Sequence, residues 1–125
     1  MLTYRFKQAE RLRSPKQIES LFSEGNRFCV PPFKVIWQNN KQSDQNLKLV
    51  ISVPKKRISK ASHRNRVKRL VRESFRKHNY ILKEALRVKN KSINLMLIYN
   101  LESILTYSNI EHKISVTLQR LSDEV

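Results

Sequence analysis

Residues 52–76 read SVPKKRISKASHRNRVKRLVRESFR, and this stretch decides the architecture of the chain. Pro54 ends an apolar segment, and a helical pattern begins near Ser59. Apolar side chains recur at helical spacing along one side of that pattern: Val67, Leu70, Val71 and Phe75. The opposite side is polar and almost entirely cationic: Asn65, Arg69, Arg72 and Arg76. We therefore predict a helix with one apolar side and one cationic side.

The apolar spacing continues beyond this stretch through His78, Ile81 and Leu82, which predicts one long helix over residues 59–86. A polar break follows at residues 87–92. The next segment, INLMLIY at residues 93–99, is mostly apolar and has the length of a central strand. Ser108-Asn109-Ile110-Glu111 reads as a capping box and predicts the start of a last helix. The apolar residues of that helix are Ile110, Ile114, Leu118 and Leu121.

A shorter helix is predicted before the basic stretch, over residues 15–24. Ser14 is suited to its N-cap, Pro15 to its first position, and Gln17 to the capping box. Its apolar residues share one face: Ile18, Leu21 and Phe22. Gly25, the only glycine, is predicted to end the helix in a left-handed conformation.

Short runs rich in β-branched and aromatic residues predict strands at 26–30, 33–38 and 47–53, with a polar loop at 39–46. The predicted order is α-β-β-β-α-β-α. This order is typical of an α+β fold in which a single sheet of about four strands packs with three helices. The sequence has no linker long enough to divide it, so residues 1–125 are predicted to form a single domain.

Charge is the strongest signal in the composition. The 125 residues include 26 Lys and Arg against 10 Asp and Glu, a formal net charge of +16. Residues 55–77 hold eleven of the basic residues but only one acidic residue, Glu73. Such a balance attracts polyanions, nucleic acid first and acidic membrane second.

Cysteine content and hydropathy indicate the compartment. The single cysteine, Cys29, cannot form an internal disulfide, which fits a reducing environment, and we expect it to be buried as a small hydrophobe. The sequence has no apolar run long enough to span a membrane and no signal-peptide pattern at its start. We therefore expect a cytoplasmic protein.

The sign of the charges argues against a merely solvated helix face. Solvated faces usually mix Glu with Lys or Arg one turn apart, whereas this face has only Glu73. Uncompensated like charge destabilises a helix, so a partner has to neutralise it. Phosphate is the natural partner, because guanidinium groups match its geometry and can also stack on unpaired RNA bases. The pattern predicts RNA binding.

At this point the sequence resembles a known family. The pattern K-K, a short spacer, K-A and then R-N-R-x-K-R-x-x-R-E is similar to the signature of the ribonuclease P protein family. The matching residues are Lys55, Lys56, Lys60, Ala61, Arg64, Asn65, Arg66, Lys68, Arg69, Arg72 and Glu73. Arg11-Leu12-Arg13, Phe22 and Gly25 are similar to the family's opening, and the resemblance covers roughly residues 9–122. Ser62 and Val50 depart from common family residues without removing a charge.

The resemblance implies a role. Members are protein subunits of a ribonucleoprotein in which a catalytic RNA, requiring Mg²⁺, removes the 5′ leader of precursor tRNA. It also implies a left-handed βαβ crossover, against the usual right-handed rule. The residues expected to contact the catalytic RNA are Lys55, Lys56, Lys60, Arg64, Asn65, Arg66, Lys68, Arg69, Arg72 and Arg76. The residues expected in a leader cleft are Ile18, Phe22 and Ile36, with Trp37 as a competitor for the strand position. For Phe22, plain core packing remains an equal alternative on spacing alone.

Catalysis by the chain itself has little support. His63, His78 and His112 are scattered, and one glycine cannot build a phosphate-binding glycine loop. We expect no catalytic residue, no metal site, no cofactor bound by the protein alone, no membrane association and no obligate protein partner. Two alternatives are a structural RNA-binding protein of ribosomal type and an amphipathic membrane-surface helix. The family-like motif argues against the first, and use of the apolar stripe to pack a sheet argues against the second.

Overall fold

The computed structural model describes residues 10–41 and 46–125. Its helices are α1 (Pro15–Glu24), α2 (Ala61–His78), α3 (Tyr80–Lys89) and α4 (Tyr107–Glu124). Its strands are β1 (Asn26–Val30), β2 (Phe33–Asn39), β3 (Leu47–Ser52) and β4 (Ile93–Tyr99). The predicted strands and first helix are confirmed to within one residue at each end. The predicted loop at 39–46 lies partly outside the described residues.

The four strands form one mixed sheet in the order β1-β2-β4-β3. β2 pairs antiparallel with both β1 and β4, whereas β3 and β4 run parallel. The connection between β3 and β4 is therefore a βαβ crossover that contains α2 and α3. That this crossover is left-handed remains a prediction from the family resemblance. The segment before α1 extends the β3 edge, because the Leu12 N–H donates to the Leu49 carbonyl over 2.9 Å. β4 is central, as its apolar run predicts.

The two faces of the sheet pack against different helices. One face carries Phe33, Val35 and Trp37 into the large core, which it shares with buried residues of α2, α3 and α4. The other face is covered in part by α1, and its smaller core is formed by Leu12, Leu21, Ile36 and Met96. All four apolar residues predicted for the last helix are buried in the large core: Ile110, Ile114, Leu118 and Leu121. The sheet therefore separates two surfaces of different character.

The prediction of one helix over residues 59–86 is wrong. Two helices, α2 and α3, meet at Asn79, whose ψ of −13° departs from the helical value of about −42°. Helical hydrogen bonds persist on both sides, from the Asn79 N–H to Phe75 and from the Lys83 N–H to Asn79. The apolar stripe resumes in register at Leu82, so the spacing of apolar residues carries no sign of the interruption.

Three local predictions also need correction. Gly25 is extended, with φ −70°, and glycine is needed there for space: a Cβ would lie 2.5 Å from the Leu21 carbonyl oxygen and 2.6 Å from Ile36 Cγ2. The last helix is capped by Thr106, whose hydroxyl accepts from the Asn109 N–H, so the predicted box starts two residues too late. Cys29 is exposed on the edge strand β1 rather than buried.

Candidate RNA interface

The cationic side of α2 faces away from the core. Val67, Val71 and Phe75 are fully buried against the sheet and α4. On the opposite side, Arg66 and Arg69 are exposed. The rest of the cationic side is exposed or half-buried: Asn65, Lys68, Arg72 and Arg76. The surface therefore presents guanidinium and ammonium groups to solvent on a rigid helix.

Arg64 has a second role that its position in the motif does not reveal. One of its terminal nitrogens donates to the carbonyl oxygens of Ile58, at 3.1 Å, and Ser59, at 2.6 Å. These bonds hold the loop against the first turn of α2. Lys55 and Lys56 lie exposed in the turn before it, and Lys60 is the exposed N-cap residue. Arg64 thus helps to place these lysines beside the helix face.

Arg57 fixes the other end of the same turn. Its Nε donates to Asn100 Oδ1 over 2.8 Å, and its guanidinium lies 3.6 Å from a carboxylate oxygen of Glu102. The loop that carries Lys55 and Lys56 is therefore held to the segment after β4. No local sequence pattern predicts this contact, because 43 residues separate Arg57 from Asn100.

Positive charge is strongest in the first half of α2. Near its end, Glu73 forms ion pairs with Arg76 and, at 4.0 Å, with Lys77. The first turn contains no acidic residue and Lys60 makes no side-chain capping bond, so the positive end of the helix dipole adds to the side-chain charges. Phosphate is favoured at this end.

Cations continue from α2 across the β3 edge. A shallow pocket of about 150 Å³ lies between α2, β3 and the segment before α1. Its basic lining residues are Arg11, Arg13, Lys68 and Arg72. Burial lowers the pKa of Arg72 from its usual value, and the charge of Arg11 lowers it further. An arginine remains charged under such conditions, so like charges are held together in this pocket.

An apolar groove of about 740 Å³ opens on the other face of the sheet. Pro15, Ile18 and Phe22 of α1 line one wall, and Met96 and Ile98 of β4 line the floor. Phe22 is 53% exposed, so core packing, the alternative reading of this residue, is wrong. The groove offers an accessible aromatic ring beside an apolar floor.

Two cations flank this groove. The guanidinium carbon of Arg27 lies 4.9 Å from the centroid of the Phe22 ring. Lys34 pairs with Ile98 across the sheet and is exposed on the same face. Neither these cations nor the β4 residues were predicted. Alternation along β4 predicts that Met96 and Ile98 share one face of the sheet. Only the structure shows that α1 packs on that face.

The structure brings together only part of the predicted cleft. Ile18 and Phe22 line the groove. Ile36 is on the same face but is 1% exposed beneath α1, so it supports the groove without being open to a ligand. Trp37 is 8% exposed and lies on the opposite face in the large core, so the prediction that it could line the cleft in place of Ile36 is wrong.

The histidines do not form a site. His63 is exposed on α2, and His78 Nε2 lies 3.3 Å from a carboxylate oxygen of Glu111 on α4. Within residues 10–41 and 46–125, no three His, Cys, Asp or Glu side chains are grouped as metal ligands. No helix in the described part of the chain is both long and apolar enough to cross a membrane.

A mixed sheet with a cationic crossover helix on one face and an apolar groove on the other defines an α+β RNA-binding protein. The model of the family described as Ribonuclease P matches residues 6–121. The chain therefore belongs to the ribonuclease P protein family. This membership implies partnership with ribonuclease P RNA.

Individual relatives agree with this assignment. The ribonuclease P protein component of Porphyromonas gingivalis is 28% identical over 124 residues, covering 98% of this chain and 90% of the relative. That of Vibrio campbellii is 44% identical over 82 residues, or 66% and 68% of the two chains. The solved ribonuclease P protein of Thermotoga maritima superposes with a TM-score of 0.72 at 26% identity, covering 89% and 96%. The predicted fold class is confirmed, with four helices instead of three in the described part of the chain.

Proposed function

We propose that the chain uses two separate surfaces in ribonuclease P: the cationic side of α2 binds the catalytic RNA, and the groove beside α1 binds the 5′ leader of precursor tRNA. The observation that carries this proposal is the exposed Phe22 in an apolar groove, on the sheet face opposite α2. The two RNA segments could therefore be bound at the same time.

The α2 surface suits folded RNA. Its charges are rigidly spaced along a helix, and phosphates in folded RNA are also spaced along rigid backbones. Arg66 and Arg69 lie fully outward, while Arg64 is engaged with the loop. We therefore assign Arg66 and Arg69 to direct phosphate contact and assign Arg64 first to holding Lys55 and Lys56 in place.

The groove suits an unpaired strand. Unpaired bases stack on aromatic rings, and such contacts tolerate different sequences because every base has a π face. Phe22 supplies the ring, Ile18 supplies an apolar wall and Ile98 an apolar floor. Arg27 and Lys34 supply positive charge for the backbone. A groove of this composition fits a leader that varies in sequence among precursors.

We propose that the RNA performs the cleavage and holds the Mg²⁺ that the reaction needs. Magnesium prefers carboxylate oxygens and water as ligands, whereas the groove lining includes one carboxylate, Glu19, and Glu73 on α2 is paired with Arg76 and Lys77. The protein then contributes binding and orientation only. In the cell we place this activity in the cytoplasm.

Reconstitution tests the proposed function. Rigorously RNA-free protein should leave precursor tRNA intact, and adding ribonuclease P RNA at low Mg²⁺ should give faster release of the leader than the RNA alone. Cleavage at the mature 5′ end by the protein alone would contradict it. Capture of ribosomal RNA in place of ribonuclease P RNA from a lysate would favour the ribosomal alternative.

A further inference from the structure

A second pocket beside α1 is lined almost entirely by uncharged hydrogen-bonding side chains. It has a volume of about 250 Å³ and lies between α1 and the ends of β2 and β4. Side-chain amides come from all three elements and from the residue after β2: Gln17, Gln38, Asn39, Asn40 and Asn94. Lys16 and Ser20 complete the lining. Among these described lining residues none is acidic.

This amide pocket is not part of the apolar groove. Pro15, Ile18 and Phe22 face the groove, whereas Lys16, Gln17 and Ser20 face the pocket. At helical spacing these two sets lie on opposite flanks of α1. A strand that fills the groove therefore reaches the pocket only by passing around the helix.

Asn94 makes the pocket unlike an ordinary polar surface. It is 4% exposed, and it is the only polar residue in the otherwise apolar strand β4. Burying an amide in a central strand is costly unless it is hydrogen-bonded, so its oxygen accepts from Asn40 Nδ2 over 3.2 Å. Asn40 is held in turn by the bond from its N–H to the Ser92 carbonyl at 2.8 Å. The amides are thus placed by the fold.

The sheet adds a second held amide and a second cation. Gln38 pairs with Asn94 across the sheet, and its side chain lies 3.4 Å from the Ser20 hydroxyl. Lys48 on β3 pairs with Asn94 from the other side and points to the same face. Lys16 lines the pocket and Lys48 lies outside its lining, one strand beyond Asn94, so both place positive charge beside a row of groups that can donate and accept hydrogen bonds.

The geometry points to a binding site for one unpaired ribonucleotide in this amide pocket. A carboxamide offers an acceptor and two donors, which match the mixed donors and acceptors of a base edge or a 2′-hydroxyl. Lys16 and Lys48 supply charge for the flanking phosphates. The volume of about 250 Å³ is smaller than the roughly 300–1,000 Å³ of drug-sized ligand pockets, so it has room for the base or the ribose of one nucleotide and not for a longer segment. The nucleotide belongs either to the catalytic RNA or to the precursor.

Side-chain amide resonances test the site directly in the wild-type protein. The ¹⁵N-labelled full chain is titrated with pentamers of uridylate, cytidylate and adenylate, and with the corresponding deoxy pentamers. The NH₂ signals of Gln17, Gln38 and Asn94 should shift, and Gln119, an exposed glutamine on α4, serves as the control. Shifts that depend on the base or on the 2′-hydroxyl support the site. Equal shifts at Gln119, or none at the pocket amides, would overturn it.

Matched variants then identify the source of the nucleotide. The double variant Gln17→Ala, Gln38→Ala is compared with Gln119→Ala in two arms: assembly with ribonuclease P RNA, and binding of precursor tRNA to the assembled enzyme. Loss of two hydrogen bonds should weaken one arm by about tenfold. Weaker assembly would assign the nucleotide to the catalytic RNA, and weaker binding of precursor tRNA would assign it to the precursor. Unchanged affinity in both arms, with folding intact, would refute the site even if the groove binds the leader as proposed.

Discussion

The guanidinium of Arg27 lies over the ring of Phe22, 4.9 Å from its centroid, while more than half of that phenylalanine stays exposed. The contact joins β1 to α1 at the groove. It limits the positions of the ring while leaving part of it open to a ligand. An exposed aromatic side chain held in this way loses little further freedom when a base stacks on it.

Replacing Phe22 should therefore affect substrates that carry a leader. Stacking of a base on an aromatic side chain contributes about 1–3 kcal/mol, so Phe22→Ala should weaken binding of precursor tRNA by about tenfold and leave mature tRNA unchanged. Tyr80→Ala, which removes an exposed aromatic residue from α3, is the control. Both affinities are measured with assembled enzyme after circular dichroism confirms folding. Equal weakening of both substrates, or unfolding, would mean that Phe22 has no leader role.

Substitutions on the cationic side of α2 should weaken assembly with the catalytic RNA and not the discrimination between substrates. Arg69→Ala combined with Arg72→Ala should weaken assembly with ribonuclease P RNA by about a hundredfold or more, whatever the substrate, because hydrogen bonds to charged groups contribute about 1.5–3 kcal/mol each. Arg87→Ala combined with Lys89→Ala removes equal charge from the exposed end of α3 and is the control. Assembly is titrated in the absence of tRNA. If both double variants assemble alike, only net charge matters and the α2 surface has no special role.

The salt dependence of assembly reports how many phosphates are neutralised. If about six are contacted, log K should fall against log salt concentration with a slope of about −4 to −5. Each arginine that contacts phosphate should lower the slope by about one when it is removed. Affinity is measured at four or more salt concentrations. A wild-type slope shallower than about −2 would contradict phosphate docking by the α2 surface.

The sequence predicted the elements better than their surroundings. Apolar spacing identified Ile110 and Ile114 as core, because a 3.6-residue period has one buried face wherever the helix packs. The same spacing could not separate Leu21, fully buried, from Phe22, exposed, because both lie one helical turn from Ile18, at i+3 and i+4. Alternation in β2 likewise separated Ile36 from Trp37 but could not say which one faces α1.

The charged surface was predictable for a related reason. Like charges at helical spacing are a local pattern, so most of the α2 surface followed from the sequence. Arg64 is the exception, since its bonds to Ile58 and Ser59 depend on the path of the preceding loop. The amide pocket brings together residues more than 50 positions apart, such as Asn40 and Asn94, and no spacing within one element predicts it.

The contact between His78 on α2 and Glu111 on α4 should make the free energy of unfolding depend on pH in the acidic range. The His78 imidazole, whose Nε2 lies 3.3 Å from the carboxylate, is the main cause that lowers the pKa of the Glu111 carboxyl, and Tyr107 also lowers it. A lowered folded pKa contributes stability above the ordinary Glu value of about 4.3, and this contribution is lost as the pH falls through the folded value. Glu111→Gln should therefore lose less stability than the wild type between about pH 5 and pH 3.

Urea unfolding at several pH values measures this difference. Glu24→Gln, which changes an exposed carboxyl at the end of α1, should keep the wild-type pH dependence. Identical acid dependence of the wild type and Glu111→Gln would show that the His78 contact adds nothing to stability.

Gly25 should tolerate no side chain, although its backbone conformation would suit any residue. A Cβ would meet the Leu21 carbonyl oxygen and Ile36 Cγ2 at 2.5 and 2.6 Å. The first of these atoms is backbone, and the second belongs to a side chain buried under α1. Neither can move without shifting α1 against the sheet, so Gly25→Ala should lower the free energy of unfolding by about 1–3 kcal/mol. Glu24→Ala, one residue earlier and exposed, is the control in urea unfolding.

Because the shift of α1 would also move the wall that carries Phe22, the Gly25→Ala variant should bind precursor tRNA more weakly even where it is fully folded. An alanine variant as stable as the wild type would mean that α1 adjusts its position freely, and the groove could then not be the rigid leader site proposed here.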